Sequence, residues 1–169
     1  EQALAFFAEE AVHVGLHVDL KLRVRLDELA AALRRFGLTA RTVVSTSHAP
    51  SLRTVARHAP GVRIGLTYPE DRLSVSRRPW LWPVVAVGLS SMRASVPYRL
   101  PRLVGASGAS AVMLQHRLVT EAAVRRAHGL GAPVLAWTVD DEVDLRRVVD
   151  AGVDGVITND PRIFGLLAA

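Results

Sequence analysis

Short β-branched, apolar runs alternate with amphipathic runs along almost the whole chain, and only a few residues separate one from the next. Helical spacing is expected over residues 4–10, and a strand follows over 16–22. The alternation continues with a helix at 26–36, a strand at 42–47, a helix at 51–58 and a strand at 62–68. After an irregular stretch come a strand at 111–115, a helix at 120–130, a strand at 133–139, a helix at 142–151, a strand at 153–158 and a short helix at 161–167. Within the irregular stretch, an exposed loop is expected over 70–83 and short helices over 84–93 and 100–106. Short connections and apolar strands imply parallel strands in right-handed βαβ units, either an open doubly wound sheet or a (β/α)8 barrel. No glycine-rich dinucleotide loop follows a strand, and Gly105-Ala106-Ser107-Gly108 precedes one, so it reads as a turn. A complete barrel typically needs about 250 residues. The expectation is therefore a single α/β domain over residues 1–169, a TIM-type (β/α)8 barrel truncated at its N-terminal side, with about six of the eight strand–helix units.

Composition narrows the partners. A net charge of +5 favours anions such as phosphate esters, nucleic acid or an acidic membrane surface. The basic residues are scattered without a dense run, so no nucleic-acid partner is expected and a small phosphodiester fits better. No cysteine is present, which excludes disulfides, thiolate catalysis and zinc–cysteine sites. The longest charge-free run, residues 79–92, contains Pro83 and Gly88 and falls short of the roughly 20 residues of a membrane span. Trp80-Leu81-Trp82 behind Arg77-Arg78 leaves room for peripheral membrane contact, for a substrate-gating loop, or for a plain hydrophobic contact. The chain begins at Glu1 with residues 2–7 already helical in pattern, and nothing resembles a secretory signal. A start inside a longer protein is the expectation.

The strand at 16–22 carries the chemistry. In His17-Val18-Asp19-Leu20-Lys21-Leu22, polar and apolar side chains alternate. His17, Asp19 and Lys21 would then share one face, each roughly 6.6 Å from the next. Lys21 is the only lysine; every other basic residue is arginine. A compact ammonium at that one place points to a role a planar guanidinium does not fill. The simpler alternative is a buried structural Lys–Asp pair.

Three segments together resemble the glycerophosphodiester phosphodiesterase family. Val18-Asp19-Leu20-Lys21 is similar to the family's apolar-Glu-apolar-Lys strand. Ala127-His128-Gly129-Leu130 running into Ala136-Trp137-Thr138-Val139-Asp140 is similar to its Ala-His, Gly and Trp-Thr-Val-Asn pattern. Gly152-Val153-Asp154-Gly155, followed by Thr158-Asn159-Asp160-Pro161, is similar to its Gly-Val-Asp-Gly ending before a Thr-Asp and a proline. The resemblance implies a TIM-type barrel that hydrolyses glycerophosphodiesters to glycerol 3-phosphate and an alcohol. It further implies a divalent cation, Mg2+ or Ca2+, and paired histidines for acid–base work. Asp19 becomes a metal ligand, Lys21 a contact to the substrate phosphate, and Trp137 a wall against the glycerol or head group.

The chain also departs from the family. The early His-Arg-Gly, Glu-Asn, Glu-x-Asp and His-Asp motifs belong before Glu1, so no catalytic residue is assigned and the chain by itself is expected to be inactive. Asp19 stands for a glutamate and is one methylene shorter, so it would reach the ion through a water or with the ion shifted. Asp140 stands for an asparagine, and Ser45-Thr46-Ser47-His48 matches the family's Ser-Phe strand end poorly. The alternative is a non-catalytic barrel that binds phosphate or lipid head groups. Other polar residues have structural readings: Asp154 setting a turn or binding backbone amides, Asp160 capping the last helix, His128 complementing a helix dipole, His17 supporting Asp19 or sitting satisfied in the interior. His48 and His116 each follow a strand, where barrel enzymes carry catalytic groups, but no motif supports either.

Overall fold

The computed structural model describes residues 1–70 and 82–167. Most of the loop expected over 70–83, including Trp80-Leu81, lies outside the described residues. The chain is organised as two compact units, Glu1–Leu66 with Val104–Ala111 and Thr67–Leu103 with Val112–Ala169.

In the first unit the strands are β1 (Leu16–Asp19), β2 (Thr42–Thr46) and β3 (Arg63–Tyr68). They lie in chain order and pair in parallel, Leu16 opposite Thr42 and Val43 opposite Arg63. Helix α1 (Gln2–Glu9) precedes them, and α2 (Leu26–Arg35) and α3 (Ala49–His58) separate them. α2 follows from its sequence: Leu26, Ala30 and Leu33 are buried, Asp27 and Glu28 open it, Arg34 and Arg35 close it. Gly37 then takes a positive φ of 66°, a left-handed turn that a side chain would strain. α3 starts two residues earlier than its pattern predicts. Pro50 occupies the first turn, where no N–H is needed. Ser51 is therefore not the cap but a buried hydroxyl beside His48 Nδ1, at 2.8 Å. The core joins α2 and α3 to β2 through Leu33, Leu38, Val44 and Val55, with Val18 and Leu20 packed against its rim.

In the second unit β4 (Ala111–Gln115), β5 (Val134–Trp137) and β6 (Gly155–Val156) are parallel and in chain order. α5 (Glu121–His128) and α6 (Glu142–Asp150) connect them, and a 3-10 segment, Pro161–Leu167, closes the chain. The two helix starts are capped as their sequences predict. Thr120 Oγ1 accepts from the Ala123 amide at 3.1 Å, and Asp141 Oδ1 accepts from the Asp144 amide at 2.8 Å.

Two expectations fail here. The short helices expected at 84–93 and 100–106 are parts of one helix, α4 (Trp82–Ser107), which runs through Pro97 and Pro101. An internal proline costs about 3 kcal/mol. Val96, Leu100 and Val104, buried at four-residue spacing, supply the apolar stripe that offsets it. The strand expected over 153–158 shrinks to Gly155–Val156. The Asp154 carboxylate takes the Val134 amide at 2.7 Å, so a side chain stands where a ladder acceptor would be.

Candidate functional site

β1 ends at Asp19, not at residue 22. Its last ladder contact is the Leu20 amide on the Ser45 carbonyl, at 2.8 Å. Residues 21–25 then lie exposed before Arg25, at φ 58°, turns the chain into α2. Arg25 holds that turn by forking onto Glu28, with Nε donating to Oε1 at 2.8 Å and Nη2 to Oε2 at 2.5 Å. The alternation survives over the strand itself: Leu16 and Val18 face the core rim, while His17 and Asp19 face outward.

Lys21 leaves the strand but stays beside Asp19, with Nζ 2.5 Å from Oδ2. The lysine side chain is 80% exposed and the aspartate 40%. The buried structural pair is thereby ruled out in this geometry. An exposed ion pair of this kind contributes about 0–1 kcal/mol, too little to explain its presence by stability. His17 completes the group. Its Nε2 lies 2.8 Å from the Ser45 hydroxyl, which is itself buried on β2. Burial of the ring holds the His17 pKa below its ordinary value, against the pull of Asp19, and Lys21 adds to the lowering. A neutral imidazole beside a carboxylate–ammonium pair is the result. Ser45 is the partner that sequence reasoning missed; its signal was the strand pairing that sets His17 and Asp19 beside Val43 and Ser45.

Trp137 is the last residue of β5, part-exposed. Its Nε1 donates to the Met113 carbonyl of β4 at 2.9 Å, which fixes the indole plane. Three residues further on, Asp140 accepts from the Asn159 amide at 2.8 Å, from Asn159 Nδ2 at 2.9 Å and from Thr158 Oγ1 at 3.2 Å. The Asn159 amide, with these partners and His116, holds the Asp140 carboxyl below its usual range. Where the family carries asparagine, this aspartate is a clamp on the loop after β6.

Beyond β4, His116 Nδ1 lies 2.8 Å from Asp144 Oδ2. The contact is close but poorly directed, so that nitrogen lacks a well-formed hydrogen bond. Arg147 grips the other Asp144 oxygen at 2.5 Å and donates to the His116 carbonyl. Burial pushes the Asp144 carboxyl up, but Arg147 and His116 together hold it below its ordinary value. His116 thus anchors a loop to α6. Asp154 binds the Val134 amide and His128 Nε2, each at 2.7 Å, the turn-setting role its sequence suggests. Asp160 accepts from the Arg162 amide at 3.0 Å, as a cap does.

Asp19 is one carboxylate. Among the described residues no group of three or more His, Cys, Asp or Glu side chains is placed to hold a metal ion. Mg2+ and Ca2+ take oxygen ligands, several of them from protein, substrate and water. The donors present here do not complete such a site, and no chemical step is assigned to a metal.

The sequence matches the glycerophosphoryl diester phosphodiesterase family over residues 7–163. The chain belongs to that family. A glycerophosphodiester phosphodiesterase of Caldanaerobacter subterraneus subsp. tengcongensis is 27% identical over 135 residues, covering 80% of this chain and 45% of that protein. A candidate glycerophosphoryl diester phosphodiesterase of Silicibacter pomeroyi superposes with a TM-score of 0.71 at 24% identity, over 99% of this chain and 56% of that one. A phosphodiesterase of Oleispira antarctica, solved with sn-glycerol 3-phosphate, superposes with a TM-score of 0.61 at 18% identity, over 92% of this chain and 56% of that one. The fold is that of the family's TIM-type barrel, with six parallel strands and the helices between them. The chain spans about half the length of these relatives. Asp19 and Trp137 close their strands at the carboxyl end, the end where barrel enzymes of this fold carry their active sites.

Proposed function

We propose that this chain serves in the hydrolysis of glycerophosphodiesters to glycerol 3-phosphate and an alcohol, as the C-terminal three quarters or so of one barrel domain. The observation that carries the reading is the exposed Asp19–Lys21 pair at the carboxyl end of β1, in a chain that matches the family over residues 7–163. Lys21 would place its ammonium on the phosphoryl oxygens and neutralise charge there. Asp19 would orient that ammonium and supply one ligand to a divalent cation, Mg2+ or Ca2+. Trp137, its plane fixed by Met113, would pack on the glycerol or head group. The product-bound relative supports glycerol 3-phosphate as the ligand class.

With one carboxylate and no completed cation site among the described residues, the chain alone is inferred to bind but not to turn over. The same observation favours the second reading, a binding barrel without catalysis. Titrating isotopically labelled chain with sn-glycerol 3-phosphate should shift the amide signals of residues 19–21, and Lys21→Ala should weaken binding about tenfold. No shift at those residues would overturn the substrate reading. Incubation with glycerophosphocholine and Mg2+ or Ca2+ should release no glycerol 3-phosphate. Chelator-sensitive release would overturn the inferred inactivity and, with it, the binding-only alternative.

A further inference from the structure

From Arg72 to Thr120 the sequence contains no Asp or Glu, and its formal charges are all arginine. The described part of this stretch includes α4, whose exposed side carries Tyr98, 86% exposed, with Arg102 one turn later on the same face. Beside it lies α5. Pro97, Tyr98, Ala122, Arg125 and Arg126 line an open groove between the two helices, within the second unit. Glu121, the nearby acid of α5, is taken up by Arg125. Arg102 and Arg126 have no acidic partner among the described residues, and both are exposed. Charge alone would fit any polyanion. The centre of the patch is an aromatic ring with a polar tip, mostly exposed, one turn before Arg102 and sharing a groove with Arg126, and neither of these arginines has an acidic partner among the described residues. That combination matches the headgroup layer of a bilayer, where tyrosine sits at the water boundary and arginines meet lipid phosphates.

We propose that the α4–α5 face docks on an anionic lipid surface. Docking requires no span: no helix among the described residues is long and apolar enough to cross a membrane. It also stands apart from the hydrolytic reading, since none of its residues belongs to the proposed substrate site.

Co-sedimentation of the chain with vesicles tests it. Vesicles of phosphatidylcholine with phosphatidylglycerol at about 2:1 should retain the chain, and phosphatidylcholine alone should not. Raising salt from about 0.1 M to 0.5 M should release it. Arg102→Glu with Arg126→Glu should weaken retention at least about tenfold, and Tyr98→Ala about threefold. Arg34→Glu with Arg57→Glu, the same charge change on α2 and α3, should weaken it by less than about threefold. Arg102→Gln with Arg126→Gln is the milder pair should the reversal unfold the chain, a point thermal melting decides. Equal retention on neutral vesicles would overturn the proposal. So would an equal loss in the α2/α3 control, or double-stranded DNA binding the same face more tightly than the vesicles.

Discussion

Asp19 and Asp154 each sit at the boundary of a parallel strand, one in each unit, and the protein uses them in opposite ways. Asp154 is tied to the backbone: it satisfies the Val134 amide, takes His128 as a second partner, and sets where β6 begins. Asp19 satisfies no backbone group among the described residues; its partner is a lysine that is itself mostly in solvent. Asp140 and Asp144 follow the Asp154 pattern, each engaged by several partners. A carboxylate that holds structure is surrounded by donors, and its charged form is stabilised by them. A carboxylate kept for a ligand has to retain vacant lone pairs. The contrast separates the two uses more sharply than residue type or strand position does.

The largest effect should come from removing the structural member. Asp154→Ala leaves the Val134 amide without its acceptor and should lower the unfolding free energy by about 1–2 kcal/mol, discounted for its partial exposure. Urea denaturation at neutral pH measures it. A change as small as that of an exposed pair would erase the distinction drawn here. Asp19→Ala should cost less than about 0.5 kcal/mol in the same experiment. Substrate-site loss without stability loss is the signature of a residue held for function.

The pH dependence should differ between units. Asp154 and Asp144 titrate in the folded protein below the ordinary 3.8. Their contribution is complete above that value and is lost as pH falls through the lower folded value. Hydrogen exchange in the second unit should therefore hold steady down to about pH 4 and then accelerate. His17 runs the other way in range, though not in sign. Its folded pKa lies below 6.5, so the unfolded chain takes up the proton first. Stability in the first unit should fall as pH drops below 6.5, with the full penalty below the folded value, and His17→Gln should flatten that slope. An exchange profile in the first unit that is flat between pH 7 and 5 would show that the His17 ring is not buried in solution as it is in the structure. The smallest effect belongs to Asp140→Asn. It restores the family residue, keeps one acceptor for the Asn159 amide, and should leave the melting temperature nearly unchanged while removing the acid sensitivity of the loop after β6.

Much of the fold was legible because its signals are local. α2 declares itself through three- and four-residue spacing, charge order and Gly37. The starts of α5 and α6 are written in Thr120 and Asp141. The Asp19–Lys21 pairing was legible from two-residue alternation, though the chain leaves the strand between them. α4 was not legible as one helix, because two prolines argue locally for a break and the compensating burial of Val96, Leu100 and Val104 is a property of the packed molecule. His116 offered only its place after β4; that it anchors a loop depends on Asp144, a residue 28 positions later.

What the amino-acid order determined unaided is the alternation of strand and helix, hence parallel pairing, and the placing of one carboxylate and the sole lysine at a strand's carboxyl end. What only the tertiary structure decided is where strands stop and which carboxylates stay uncommitted. Periodicity and capping act over a single turn and can be read residue by residue. The competition of a distant side chain with the backbone for one amide, as at Asp154 and Val134, is settled only when both arrive at the same place.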